Sequence, residues 1–270
     1  MLALLIGVVA ICGVLAGRLF LRRRPYGLVG LSSAPLSLSL GRKRPLIEIA
    51  LWGFIFLTLV VPLLALVSTS LTPAYGVALT PETVTLKAWV EVLFKQPVAR
   101  RAYANSLLLA SSAAVILMIV SIPLAWLMSR RPTRLTRVVD TLVDLPYALP
   151  GVVLAISCIL AFMRLPFGIT LYGTLTIILL AYLSRFLVVM LRPVQSAISQ
   201  LDLAMEEAAA SFGARLGRRL FAIVLPLCAP AAAAGGILVF LTAVNELTVS
   251  ALPWASGTET LGVVIFTIEV

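Results

Sequence analysis

The sequence predicts an all-α fold, a polytopic transmembrane helical bundle, on three observations. Of the 270 residues, 61% are hydrophobic and 12% charged, against about 45–50% and about 25% in soluble domains. Mean hydropathy is +1.10, so a water-soluble enzyme of this length would have nowhere to bury its apolar surface, and that class is excluded. The apolar residues are also gathered into runs close to the roughly 20 residues a spanning helix needs. Six runs qualify as expected spans: residues 2–17, 47–67, 106–128, 150–163, 171–191 and 229–249.

The first run starts at Met1 with no basic residue before it, and Arg18, Arg22, Arg23 and Arg24 follow. That order is the reverse of a secretory signal, so the run reads as a span ending in the cytoplasm. Residues 18–46 are rich in Ser, Pro, Gly and Leu with basic ends, the composition of a connector. Basic residues orient the rest. The stretches 18–46, 130–137 and 192–222 hold 15 of the 21 Lys and Arg residues, which places these alternate loops in the cytoplasm. Loops 68–105, 164–170 and 250–260 then face outward, and Trp89 to Phe94 has the spacing of a short interfacial helix. The chain closes on an apolar tail, 261–270, about half a span long. That tail predicts a chain cut short, with further spans beyond Val270.

Composition removes several chemistries. There is no His, which takes away most metal sites and the usual general base. Cys12, Cys158 and Cys228 lie far apart in or beside apolar runs, with neither disulfide nor ligand spacing. The net charge of +10 is explained by the cytoplasmic loops and implies no nucleic-acid partner. No Gly-rich phosphate-binding loop and no paired nucleophile and base are present, so the chain is expected not to be an enzyme and to need no cofactor.

The informative segment is 192–226. Asp202 can cap a short helix of strong helix formers, Met205 to Phe212. Gly213 can supply the left-handed residue that ends it. A second short helix follows with basic residues in its last turn, and Pro226 suits the first turn of the next span. The bland reading is an amphipathic connection between two spans.

Glu207-Ala208-Ala209, Gly213, then Ile223, Leu225 and Pro226 together match the signature of binding-protein-dependent ABC importer permeases, and the chain resembles that family, with a type I importer fold. In it this segment is the coupling helix that docks on the ATPase. Asn105-Ser106-Leu107 and Leu145-Pro146-Tyr147-Ala148-Leu149-Pro150-Gly151 are similar to further family motifs. Asn245-Glu246-Leu247 with Thr258, Thr260 and Leu261 resembles the ferric-iron subgroup, whose permeases often fuse two halves. On that likeness residues 1–17 end a preceding half, 18–46 form the basic linker, and 47–270 are a permease domain lacking its last span. The resemblance implies an inner-membrane, multi-pass permease moving a small solute, ferric iron first, with polyamine, thiamine, sulfate or phosphonate as alternatives. It also implies three partners besides the membrane: an ABC ATPase acting as a dimer, a solute-binding protein, and a second permease half, in the same chain or as a homodimer.

Ionisable residues within the runs remain. Arg185 and Arg164 can snorkel to the nearest interface. Glu246 is short and cannot, so it should face a partner, a cavity or the solute path, with Asn245 beside it. Two readings stay open for it: a translocation-pathway residue or a helix-packing hydrogen bond. A secondary carrier coupled through Glu246 is the rival class, but a carrier has no need of the 207–226 motif. The Gly235-Gly236 pair should allow close helix approach.

Overall fold

A computed structural model describes residues 43–74, 76–164 and 170–269. The first expected span and nearly all of the basic connector lie outside the described residues. The described residues up to Pro97 form one compact unit and those from Val98 onward another.

The first unit holds α1, Arg44–Ser70, a helix of 27 residues long and apolar enough to span. A π-helical turn, Phe56–Val60, interrupts it one residue after Ile55. None of its residues is buried, as suits an apolar helix in lipid, where every backbone group is satisfied within the segment. α2, Lys87–Val90, runs on as a π-turn through Lys95. It covers the expected interfacial stretch, and the Trp89 indole donates to Ser70 Oγ at 3.3 Å.

The second unit contains α3 (Pro97–Arg130), α4 (Arg134–Ala148), α5 (Gly151–Phe162), α6 (Leu175–Gln200), α7 (Leu203–Ser211), α8 (Leu216–Val244) and α9 (Leu261–Glu269). Among the described residues there is no strand. α6 is the central post, packed by α8, α4 and α5. Its buried Ile177, Ile178, Tyr182, Phe186 and Met190 meet Leu109 and Leu117 of α3 and Val239 of α8. Tyr182 and Phe186 stack edge to face at 5.5 Å, the arrangement their ring quadrupoles prefer. The glycine pair works as expected: a Cβ on Gly235 would sit 2.9 Å from Met190 Sδ, and one on Gly236 would sit 2.7 Å from Met118 Cε.

Three expectations are corrected. The run 150–163 becomes α5, only 12 residues and so about 18 Å long, too short for a hydrocarbon core of about 30 Å. It pairs with α4 at a bend of 114°, as a broken span or re-entrant element. α4 takes in Arg134 and Arg137 of the stretch 130–137 expected as loop, and with Asp140 and Asp144 these charges lower its hydropathy. It is instead an amphipathic helix started by a reciprocal Thr133–Thr136 capping box. Finally, the sixth run shifts. α8 begins at Leu216 and ends at Val244, so Pro226 lies inside a continuous helix after a π-turn, Leu220–Val224, and Asn245 and Glu246 lie past its C-terminus.

Candidate functional site

Two places collect the residues singled out by sequence. The first is the elbow between α6 and α8. Extended backbone at Leu201 and Asp202 ends α6, and the Asp202 carboxylate accepts from Ala204 N–H at 2.9 Å, capping α7. Side-chain oxygens at this position satisfy donors the helix cannot. Gly213 adopts φ +79° with open space around it, a left-handed conformation that costs a β-branched residue heavily. Glu207, Ala208 and Gly213 are exposed and Ala209 is partly so. Leu225 and Pro226 are exposed on α8 just past its π-turn, and Ile223 is half-buried. The seven motif residues therefore lie along one stretch and are largely unburied. Between them Phe212 stands 92% exposed.

Sequence reasoning missed Glu206, the only buried side chain of α7. Its carboxylate accepts from Trp126 Nε1 at 2.7 Å and from Arg130 Nε at 2.9 Å, both on α3. Arg130 also donates to Leu201 O at 2.9 Å. A usable signal was present: adjacent glutamates on a helix project about 100° apart, so Glu206 and Glu207 could not share one role.

The second place lies past the end of α8. Glu246 Oε1 accepts from Val249 N–H at 3.1 Å and from the Thr248 hydroxyl, closing a turn. Its other oxygen lies 3.5 Å from Arg185 Nε, with the two side chains 12% and 16% exposed. Arg185 donates to Leu149 O at 3.1 Å and stands over the Tyr147 ring at 5.8 Å. The expectation that Arg185 snorkels is therefore corrected: it is the partner Glu246 required. Tyr147, Arg185, Thr242, Asn245 and Glu246 line a cavity of about 400 Å³. Asn245 caps α8, its amide donating to Leu241 O at 3.0 Å. Nearby, Gly151 meets the same turn so closely that a Cβ would lie 1.8 Å from Thr248 Oγ1.

Two further charged clusters were not anticipated. Arg192 of α6 bridges Asp140, at 2.7 Å, and Asp144 of α4. At the other end of the unit, Asn105 Nδ2 of α3 donates to Gly257 O and Glu259 O at 3.1 and 2.9 Å, and Ser106 Oγ accepts from Leu261 N–H at 2.8 Å. Burial would raise the Glu259 carboxyl. Hydrogen bonds from the Gly257 N–H and its own N–H, with Arg101 at 3.7 Å, outweigh that and hold it below the usual carboxylate range.

Spanning helices, a broken helix pair and a capped elbow of small residues on the basic side define a multi-pass helical membrane protein. Residues 121–268 match the family described as binding-protein-dependent transport system inner membrane component, and the chain belongs to that family. Its members are non-enzymatic subunits of the inner membrane.

An Fe(3+)-transport system permease protein of Haemophilus influenzae is 30% identical over 61% of this chain and 32% of its own length. A probable ABC transporter permease protein of Sinorhizobium fredii is 30% identical over 86% of this chain and 42% of its own. The chain thus spans less than half the length of these relatives. Other relatives are named for sulfate, 2-aminoethylphosphonate and spermidine/putrescine transport. The fold is shared with a chain of a bacterial ABC transporter involved in the import of the acidic polysaccharide alginate, at TM-score 0.61 and 21% identity over 86% of this chain and 82% of that one.

Proposed function

We propose that the chain is the membrane-crossing part of an ATP-driven importer, taking a small solute from a binding protein and releasing it into the cytoplasm. The observation that carries this reading is the elbow. α7 is a solvent-facing helix of small residues, capped by Asp202 and ended by left-handed Gly213, with an almost fully exposed Phe212 at its tip. An exposed aromatic flanked by small side chains suits insertion into a groove of a partner, and that partner is an ATPase subunit, present as a dimer. Glu207, Ala208, Ala209 and Gly213 form the contact, and Ile223, Leu225 and Pro226 connect it to α8.

The solute path passes the cavity at Asn245 and Glu246, facing a second permease half. Ferric iron is the cargo favoured by the 245–247 and 258–261 motifs and by the relative named for Fe(3+). Arg185 balances the charge of Glu246, and no cluster of three His, Cys, Asp or Glu occurs among the described residues. The cavity is then a charge-balanced waypoint, which leaves selection among iron, sulfate, phosphonate and polyamines to the binding protein. The test is purification of the chain with its ATPase and binding protein, reconstitution, and ATP-dependent uptake of radiolabelled ferric iron with sulfate and putrescine as competitors. Uptake of iron resistant to both supports the iron reading. ATP-independent uptake contradicts the importer.

A further inference from the structure

α7 is joined to its neighbours in sequence by two non-helical joints. On one side lie Leu201 and Asp202 with extended backbone, ψ 132° and 125°. On the other side lies Gly213 at φ +79°. Such joints let a short helix swing, since neither continues a rigid ladder. Among the nine residues of α7, Glu206 alone is buried. The firm attachment of α7 is therefore one carboxylate, held at 2.7 and 2.9 Å by Trp126 and Arg130 of α3.

Charge-assisted hydrogen bonds in a dry setting are short and directional. α3 can carry what that attachment delivers. It is one unbroken helix of 34 residues that carries Pro123 one turn before Trp126, about 50 Å long. Its first turns hold the outward loop through Asn105 and Ser106, which bond Gly257, Glu259 and Leu261. Asn105 and Trp126 are roughly 30 Å apart along this helix at 1.5 Å per residue.

We infer that Glu206 is a positioning residue that pins the elbow to α3, so that movement of α7 reaches the loop at 255–261 through α3 rather than through the flanking α6 and α8 joints. This rests on the reading of α7 as the ATPase-facing element. It differs from a docking role: Glu206 faces inward, away from any partner, and acts through Trp126 and Arg130.

The test uses the permease purified with its ATPase in lipid nanodiscs. Trp52, Trp89 and Trp254 are replaced by Phe, leaving Trp126 as the sole indole. The native cysteines are replaced by Ala, and an environment-sensitive fluorophore is attached through Ser256→Cys on the exposed outer loop. In this parent, addition of ATP should change both the Trp126 emission and the loop probe. In Glu206→Gln, which can satisfy one donor but not the ion pair, the ATPase should still copurify. The loop response should fall about fivefold or more, the lower end of an allosteric coupling. Glu206→Asp keeps the charge and should recover an intermediate response. A second variant, made in the same cysteine-free background with native Trp52 and Trp89, is Trp126→Phe; it removes only the indole donor and should also weaken the loop response. A loop response in Glu206→Gln equal to the parent overturns the inference, as does loss of the ATPase from the Gln variant, which would make Glu206 a docking residue. Failure of the parent itself to recruit an ATPase overturns the underlying reading of α7, and it is seen before any variant is made.

Discussion

Substituting Glu246 with Ala strands Arg185. The guanidinium lies 3.5 Å from that carboxylate and is 16% exposed, with Leu149 O as its hydrogen-bond acceptor. Breaking a buried pair by removing one partner costs about 3–5 kcal/mol, and the residual exposure of both groups puts this case near 3. For a chain of this size that is a fall in Tm of about 6–12 °C, at roughly 2–4 °C per kcal/mol. Glu246→Gln keeps an acceptor for Thr248 and Val249 and loses only the charge, so about 1–2 kcal/mol should go. Arg185→Met removes the stranded charge while its stem still fills the space. The double variant Arg185→Met/Glu246→Ala should then be more stable than the sum of the single losses by about 2 kcal/mol. The assay is thermal unfolding of the native protein and the four variants in one detergent. Additivity within about 0.5 kcal/mol would mean that the two side chains do not interact. Uptake separates the two roles left open for Glu246. A Gln variant that shows only this small loss of stability yet loses transport places the carboxylate on the solute path.

Gly213→Val forces a β-branched residue to φ +79°, costing about 1 kcal/mol or more locally; with Glu207→Lys it should leave insertion intact but separate ATP hydrolysis from uptake, read as solute moved per ATP. Gly151→Ala drives a Cβ to 1.8 Å from Thr248 Oγ1 and should lower stability by about 1–3 kcal/mol, measured as Tm; an unchanged Tm would contradict the packing of α5 on the 246–249 turn. Because the Glu259 carboxyl is held below its ordinary value of 4.5, its stabilising contribution is present above that pH and is lost as pH falls below it. The Tm difference between the native protein and Glu259→Gln should accordingly vanish on acidification, and a difference constant down to strongly acid pH would refute it.

Hydropathy located the long spans because lipid imposes one rule on every backbone group. α1, α3 and α6 contain the expected runs at 47–67, 106–128 and nearly all of 171–191. The Asp202 cap and the left-handed Gly213 were legible for a local reason: both depend on residue chemistry within a few positions. What was hidden depended on partners distant in sequence. Nothing in the run 229–249 says that Glu246 folds back on Val249 and meets Arg185, 61 positions earlier. Nothing in the doublet Glu206-Glu207 says which one turns inward to Trp126, 80 residues away. α4 was lost because mixed charge looks like loop until Arg192 is seen between Asp140 and Asp144.

What touches α7 decides most directly between an ATP-driven importer and any other carrier. A photoactivatable crosslinker placed at position 207 or 212, in cells importing the solute, should join the chain to a subunit carrying the nucleotide-binding loop this chain lacks. The same crosslinker at Phe54, exposed on α1, should give only lipid adducts. A crosslinked ATPase identified by mass spectrometry is the predicted result. Transport that continues with no ATPase crosslinked from either elbow position would contradict the assignment of this chain to an ATP-driven importer.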